Sequence, residues 1–429
     1  MFNRNTMRLT ILQISFFVLQ FFFFTDFTSA QNVVTIHGTT VEDSTFAPVS
    51  FASIYLAETR QGTISEVDGR FSLGVDTAIH GVSMRVSAIG YETRIIPLDS
   101  FVLAGDKGIR LRKTTYNLPV VPIVGMSAKN IVKTAIAMLP ANYGADTFYL
   151  KAFYRQYHYD GLRYVRLIEA NVMIENRVAK NAKSLKGKER VSVLQLRRSD
   201  NNEQNKEEHG DHLMDLLEEN PVLHPVGTVL NIKSIDSYKF FPDTNEAADV
   251  PLWHIFYFST DLAAEHLEKG ELFIDKKSFA VVMFTKEERK NNRIRDKRIY
   301  PSTAPYRWDF WNGKMQAEYE LHDGKYFLKT LDKTYMHDLY DNTVNYLAWH
   351  ITECFELRTD SVFSKEKIIA DKNFSVFSNL YHRHYAYDKN FWDNYALRGF
   401  VYAKENDVLR DLGKQRKPEE QFVENGSRR

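Results

Sequence analysis

Between residues 82 and 88, Val82, Met84, Val86 and Ala88 alternate with Ser83, Arg85 and Ser87, the period of two that a half-buried strand requires. Extended runs of this texture recur near 33–39, 49–57, 70–74, 82–89, 91–98 and 107–112. Turn residues separate them, and such short, even spacing predicts a β-sandwich. Asp68-Gly69 lies between two of the runs, where glycine accepts a positive φ at no steric cost. Gly90 breaks another run and Tyr91 restarts it, as at a bulge or tight corner.

The period changes after residue 113. Pro119 and Pro122 sit in an apolar extended stretch, so 114–126 reads as a linker. From Ser127, a helix-capping residue, Ile131, Val132, Ala135, Ile136 and Leu139 form one apolar stripe, and Pro140 is expected to end the helix. The β texture then returns. FYLKAFYRQYHYDGLRYVRLIEANVMIE predicts two long strands joined at Asp160-Gly161, and 191–198 a third. HLMDLLEEN (212–220) predicts a short helix, followed by five further extended stretches with hairpin tips at Asp275-Lys276 and Asp323-Gly324. The expectation is a mainly β protein with some α, in which a larger antiparallel, curved-sheet α+β domain (127–402) follows the sandwich (31–113). The tail, 403–429, is charged and poor in bulky apolar residues. Its last seven residues are expected to be disordered, and VLRDLG to form one or two helical turns.

Composition narrows the classes of function. Arg4 and Arg8 precede an apolar core (9–24) and then Thr28-Ser29-Ala30, the layout of a cleaved signal peptide over residues 1–30. The core falls short of the ~20 apolar residues of a spanning helix, so no transmembrane span is expected in the mature chain. Without this segment the chain holds 54 basic and 54 acidic residues, a balance that supplies no field for nucleic acid. Cys354 is the only cysteine, so an intramolecular disulfide and a cysteine-rich metal site are both excluded.

Gly62-Thr63, Asp68-Gly69-Arg70-Phe71 and Gly90-Tyr91, in that order, resemble the carboxypeptidase regulatory-like domain. That domain is a small transthyretin-like β-sandwich found at the front of many exported envelope proteins of Gram-negative bacteria. Asn142-Tyr143, Ala152-Phe153-Tyr154-Arg155, Glu169-Ala170, Tyr387-Asp388, Phe391-Trp392, Asn394-Tyr395 and Glu419-Glu420-Gln421-Phe422 are similar to the larger family in which an uncharacterised domain follows it. Gln156 stands where that family usually has an acidic residue. GELFIDKKSFAVV is also similar to strands of lipoprotein-carrier-like half-barrels. The resemblance implies an accessory sandwich and a compartment, periplasm or outer membrane, rather than a reaction.

Catalytic patterns are scarce. His350 and Glu353 have the spacing of two zinc ligands, but on a strand i and i+3 face opposite sides. His382 and His384 share a strand face and are the better metal candidates, weighed against an amphipathic aromatic strand formed with Tyr381, Tyr385 and Tyr387. His209, Asp211 and His212 lie in a polar loop. No G-x-S-x-G elbow or phosphate loop occurs. The basic runs Lys180–Arg190 and Lys286–Arg298 lack interleaved aromatics and read as solvated loops. Tyr306, Trp308, Phe310 and Trp311 form a cluster that either packs at a sheet mouth or offers a ligand surface.

The expectation is therefore an exported, non-enzymatic binding or interaction protein of the cell envelope, with no cofactor and with the sandwich as docking module. Its ligand would be apolar, peptide or glycan, or its partner another envelope protein. Two alternatives are an accessory protein for TonB-dependent uptake and a metal-dependent hydrolase built on His382 and His384.

Overall fold

A computed structural model describes residues 33–427 apart from 50–51, 57–60, 66–68, 77–80, 89–90, 104–107, 114–125, 144–146, 177–188, 201–212, 244–250, 292–305, 342–345, 364–379, 381–384, 397–404 and 415. Residues 1–30, where a signal peptide is expected, and most of 114–126, expected as a linker, lie outside the described residues, together with Asp68 and Gly90.

Seven strands build the N-terminal sandwich: β1 (Val33–Glu42), β2 (Ser53–Leu56), β3 (Gln61–Ile64), β4 (Arg70–Asp76), β5 (Ser83–Ser87), β6 (Arg94–Pro97) and β7 (Gly108–Leu111). They form one sheet ordered β4-β1-β7 and another ordered β3-β2-β5-β6. Ile36, Ile54, Leu56, Phe71, Met84, Val86 and Leu111 are buried between them. Gly69 holds the positive φ expected of its turn (77°). Two elements were not predicted: β3, where glycine and threonine mask the strand, and helix α1 (Leu98–Leu103), which buries Leu98 and Phe101.

Ser127 caps helix α2 (Ala128–Asn142) by accepting from the Asn130 amide at 3.3 Å. The apolar stripe is buried as the periodicity requires, but Pro140 does not stop the helix, which runs on to Asn142. Ten strands follow: β8 (Phe148–Tyr159), β9 (Tyr164–Asn176), β10 (Glu189–Asp200), β11 (Tyr238–Pro242), β12 (Leu252–Ser259), β13 (His266–Asp275), β14 (Val281–Lys290), β15 (Tyr306–His322), β16 (Lys325–Asp341) and β17 (Tyr346–Phe363). All pair antiparallel in one open sheet ordered β10-β9-β8-β17-β16-β15-β14-β13-β12-β11. At the Asp323-Gly324 tip both residues have positive φ (48° and 77°), the requirement of a two-residue hairpin. The edges resist further pairing. β10 carries a bulge at Leu194, and β11 ends on Pro242.

One face of this sheet bears α2, helix α3 (Leu213–Glu218) and the irregular segment that follows α3. Leu216, Leu217, Val222, Leu230 and Ile235 join the sheet's core there. The opposite face of β8–β10 is covered by the C-terminal chain. Helices α4 (Lys389–Ala396), α5 (Glu405–Gly413) and α6 (Pro418–Ser427) pack on it through Trp392, Tyr395, Val408, Leu412 and Phe422. Helix α6 thus runs to Ser427, where the sequence predicts disorder over the last seven residues; residues 428–429 lie outside the described ones. The helices bury few residues, but those few meet a ready apolar surface.

A buried charge cluster fastens these helices. Glu169 accepts from Arg155 at 2.8 Å and from Arg197 at 2.5 Å, and the Arg197 guanidinium lies 4.4 Å from the Trp392 ring and 5.1 Å from the Phe422 ring. Arg155 also reaches Glu356 at 3.2 Å. Burial pushes the Glu169 carboxyl up, yet Arg197 and Arg155 together hold it below its ordinary value. Asn171 donates to the Tyr395 hydroxyl at 3.0 Å, and Gln421 accepts from the Asp200 amide at 2.9 Å. Phe153, Arg155, Glu169, Trp392, Tyr395 and Phe422 therefore meet on this face, whereas Tyr143 packs against Tyr319 and Tyr326 on the other.

Glu169→Gln is expected to destabilise the protein by about 3 kcal/mol, because buried Arg155 and half-buried Arg197 lose their shared anion. In wild type this contribution is present above pH 4.5 and is lost as pH falls through the lowered folded value. Urea titrations at pH 7 and pH 3 check both statements. Equal stability of the two proteins at pH 7 refutes them.

Candidate ligand-binding site on the helix-bearing face

Directly paired residues of antiparallel strands share a face, so the register converts ten strands into transverse rows. One row is apolar across the entire sheet: Pro242, Ile255, Leu272, Phe284, Ala317, Leu331, Leu357, Tyr154, Ala170 and Leu196, from β11 to β10. Two residues further along each strand the row is mixed, with Gly270, Lys286, Met315, Lys333, Phe355 and Gln156 in sequence. Two residues further again it is polar. Glu268, Glu288, Gly313, Tyr335, Glu353, His158, Arg166 and Asp200 follow one another across eight strands. The apolar row lies under the helices. The polar one lies beyond them.

Glu219, just past α3, hangs over the mixed row. Its carboxylate accepts from Lys286 at 3.2 Å, from Lys333 in a short contact and from the Tyr335 hydroxyl at 3.4 Å. Burial raises the Glu219 carboxyl, but the two ammonium groups hold it below its ordinary value. The lysines respond oppositely. Burial dominates at Lys333 and lowers it, whereas Lys286 is raised despite burial because Glu219, Glu288 and Glu268 all face it. Glu268 has moved to about 7, pushed up by burial and by Glu288 opposite it, with Lys286, Tyr257 and Tyr238 pulling the other way. Its Oε2 accepts from Tyr238 at 3.3 Å. The Tyr257 ring can lie across the strand only because residue 270 is glycine. A Cβ there would meet the Thr285 carbonyl at 1.9 Å and the Tyr257 hydroxyl at 2.7 Å.

Further along the row, the Tyr154 hydroxyl donates to Gln156 at 3.2 Å, and Gln156 meets His158 at 2.8 Å. His158 and His337 flank the Glu353 carboxylate at 3.2 and 3.4 Å. Half-buried Phe310 stands edge-on to His266 (centroids 4.9 Å apart) and to Tyr335 (5.7 Å). Several of the polar groups are thus held in place by one another, and aromatic rings alternate with hydrogen-bonding ones. Such an arrangement can recognise a polar ligand with flat apolar patches.

The residues singled out from sequence fall unevenly. His350 is exposed and pairs with Asp338 at 2.7 Å, while Glu353 is buried on the other face, so the two cannot share an ion. His382, His384, His209, Asp211 and His212 lie outside the described residues, and Tyr385 and Tyr387 sit in irregular backbone rather than the predicted strand. Among the described residues no group of three or more His, Cys, Asp or Glu is placed to hold a metal ion. Phe310 joins the site. Tyr306, Trp308 and Trp311 lie on the same strand, their side chains outside the described set, and 311 forms a bulge. Lys286–Lys290 is strand β14, not a solvated loop, because acidic partners neutralise Lys286 within the sheet. The sequence reading missed Glu219, Glu268, His158, His266 and His337, although all but Glu219 continue the parity of apolar positions on their own strands.

Residues 36–121 match the family model described as CarboxypepD_reg-like domain. The N-terminal sandwich is a CarboxypepD_reg-like domain. The rest of the chain lies outside that match. A search of curated proteins finds no match. Among solved structures, the chain is similar to a DUF1329 family protein from Desulfovibrio piger ATCC 29098, at 8% identity and a TM-score of 0.23, over 58% of this chain and 95% of that one. It is also similar to a structure described as lipid-protein interactions in lipovitellin, at 9% identity and a TM-score of 0.25, over 53% and 27%. Scores this low carry no argument about either fold or function. No helix among the described residues is long and apolar enough to cross a membrane.

The Glu268 carboxyl supplies a test of the polar row that does not involve the CarboxypepD_reg-like domain. Its folded value, about 7, exceeds the ordinary 4.5, so the penalty for ionising it is absent below pH 4.5 and complete above pH 7. Glu268→Gln should therefore match wild type near pH 4.5 and exceed it by on the order of 2 kcal/mol at pH 8. Denaturant titrations at the two pH values check this. A difference that does not change with pH would show that Glu268 is not buried as described.

Proposed function

We propose that this chain is an exported, non-enzymatic binding protein of the cell envelope that holds a glycan along the polar row of its ten-stranded sheet. The reading rests on one observation: the helix-bearing face changes from apolar to polar at the same level on every central strand. The apolar part is already filled by α2 and the residues after α3, which disfavours an apolar ligand. The remaining part presents the half-buried rings of His266, Phe310, Tyr335 and His337 beside Glu219, Glu268 and Glu288. Sugar rings combine flat C–H faces with hydroxyl groups, and these two kinds of group match both features. Glu219, His158 and Glu353 are braced by neighbouring side chains rather than set beside a nucleophile, which favours binding over catalysis.

The mature protein should bind soluble oligosaccharides of bacterial surface polymers saturably in calorimetry. Phe310→Ala and His266→Ala should each weaken binding about tenfold, the size of one lost stacking contact. Saturable binding of a fatty-acid probe with none of saccharide overturns the reading. So does hydrolysis of peptide, ester or glycosidic substrates that a point substitution abolishes.

A further inference from the structure

The two faces of β5 are both buried, although the strand belongs to a thin sandwich. Met84 and Val86 point into the sandwich core, while Arg85 and Ser87 are buried because the large sheet covers them on the other side. Arg85 donates to Asp243, at the end of β11, at 2.5 Å, and Ser87 donates to Glu271 of β13 at 3.1 Å. Thr93 reaches Asp243 at 3.5 Å. His254 of β12 sits between these two carboxylates, with Nδ1 3.1 Å from Asp243 and Nε2 2.8 Å from Glu271. Its ring stacks on Phe273, centroids 4.2 Å apart, with Phe256 at 4.5 Å. Arg85, Asp243, His254 and Glu271 are each less than a tenth exposed.

Ionised carboxylates only accept hydrogen bonds, so both imidazole nitrogens can be satisfied only if each carries a proton. With His254 as imidazolium the cluster holds two positive and two negative charges. With His254 neutral it holds one uncompensated anion in a water-poor interface, an arrangement that costs several times an ordinary hydrogen bond. We propose that Arg85, Asp243, His254 and Glu271 form a latch that seats the CarboxypepD_reg-like domain on the ten-stranded sheet and holds only while His254 is protonated. The domain is accordingly a fixed part of one body, and the outer side of its β3-β2-β5-β6 sheet is committed to that body rather than free for another protein. Burial works against the charged ring, but Asp243 and Glu271 raise it from 6.5 to about 9. The folded value exceeds the unfolded one, so the latch is fully engaged below about pH 6.5 and is released as pH rises through about 9.

Scanning calorimetry and small-angle scattering of the full mature chain test this. At pH 7 wild type should show one transition, and at pH 10 two, with a larger scattering radius. His254→Gln should show two transitions at both pH values. Should that variant fail to fold, Arg85→Gln, on the sandwich side, should split the transition at pH 7. A single wild-type transition and unchanged radius at pH 10 overturn the proposal. An Arg85→Gln or His254→Gln protein that melts as one unit at pH 7 also overturns it.

Discussion

Ten strands paired in one open sheet carry a single row of apolar side chains from edge to edge, and the rest of the molecule depends on that row keeping its register. Side chains alternate between faces with a period of two, so a slip of one residue on any strand would expose its share of the row. Helix α2 and the segment after α3 lie on this row, and where they stop the polar level begins. The depth at which the helices sit therefore sets where the candidate site can be.

Three of the buried charge clusters on the large sheet obey the same physical rule. A buried ionic group is tolerated when its partners neutralise it and occupy its hydrogen-bonding positions. Glu169 between Arg155 and Arg197 meets that rule as a fastener for the C-terminal helices. Glu219 between Lys286 and Lys333 meets it as a cap over the site. His254 between Asp243 and Glu271 meets it as a joint between two bodies. Two of these regions also hold a group whose titration is strongly shifted: burial raises Glu268 beside the site to about 7, and Asp243 and Glu271 raise His254 of the joint to about 9.

Much of the fold was legible along the chain. The alternation of Val82, Met84 and Val86, the Asp160-Gly161 and Asp323-Gly324 tips and the stripe after Ser127 are local signals, and the structure places each where its period puts it. Short β3 and α1 escaped because four to six residues give too little periodicity to register. Of the C-terminal helices, the turns expected at VLRDLG lie within α5, whereas α4 and α6 escaped for another reason. Their order comes from contacts with β8–β10, far away in sequence, which no local composition reveals. The site was half legible. Gln156 and His158 follow Phe148, Leu150, Ala152 and Tyr154 on the same parity, and Lys333, Tyr335 and His337 follow Leu331 in the same way. The turn from apolar to polar could be read on each strand alone.

What the sequence determined by itself is which residues share a strand face, which turns can close and that the N-terminal segment has the marks of a CarboxypepD_reg-like domain, because each depends on neighbours a few positions apart. What only the tertiary structure decided is that those faces line up. It brings Glu268, Glu353 and His158 into one row, sets Glu219 over two lysines, and joins Arg85 of the sandwich to His254 through the Asp243 carboxylate that both contact. Such meetings depend on strand order and register. These are collective properties of burial across the whole sheet, and no single segment encodes them.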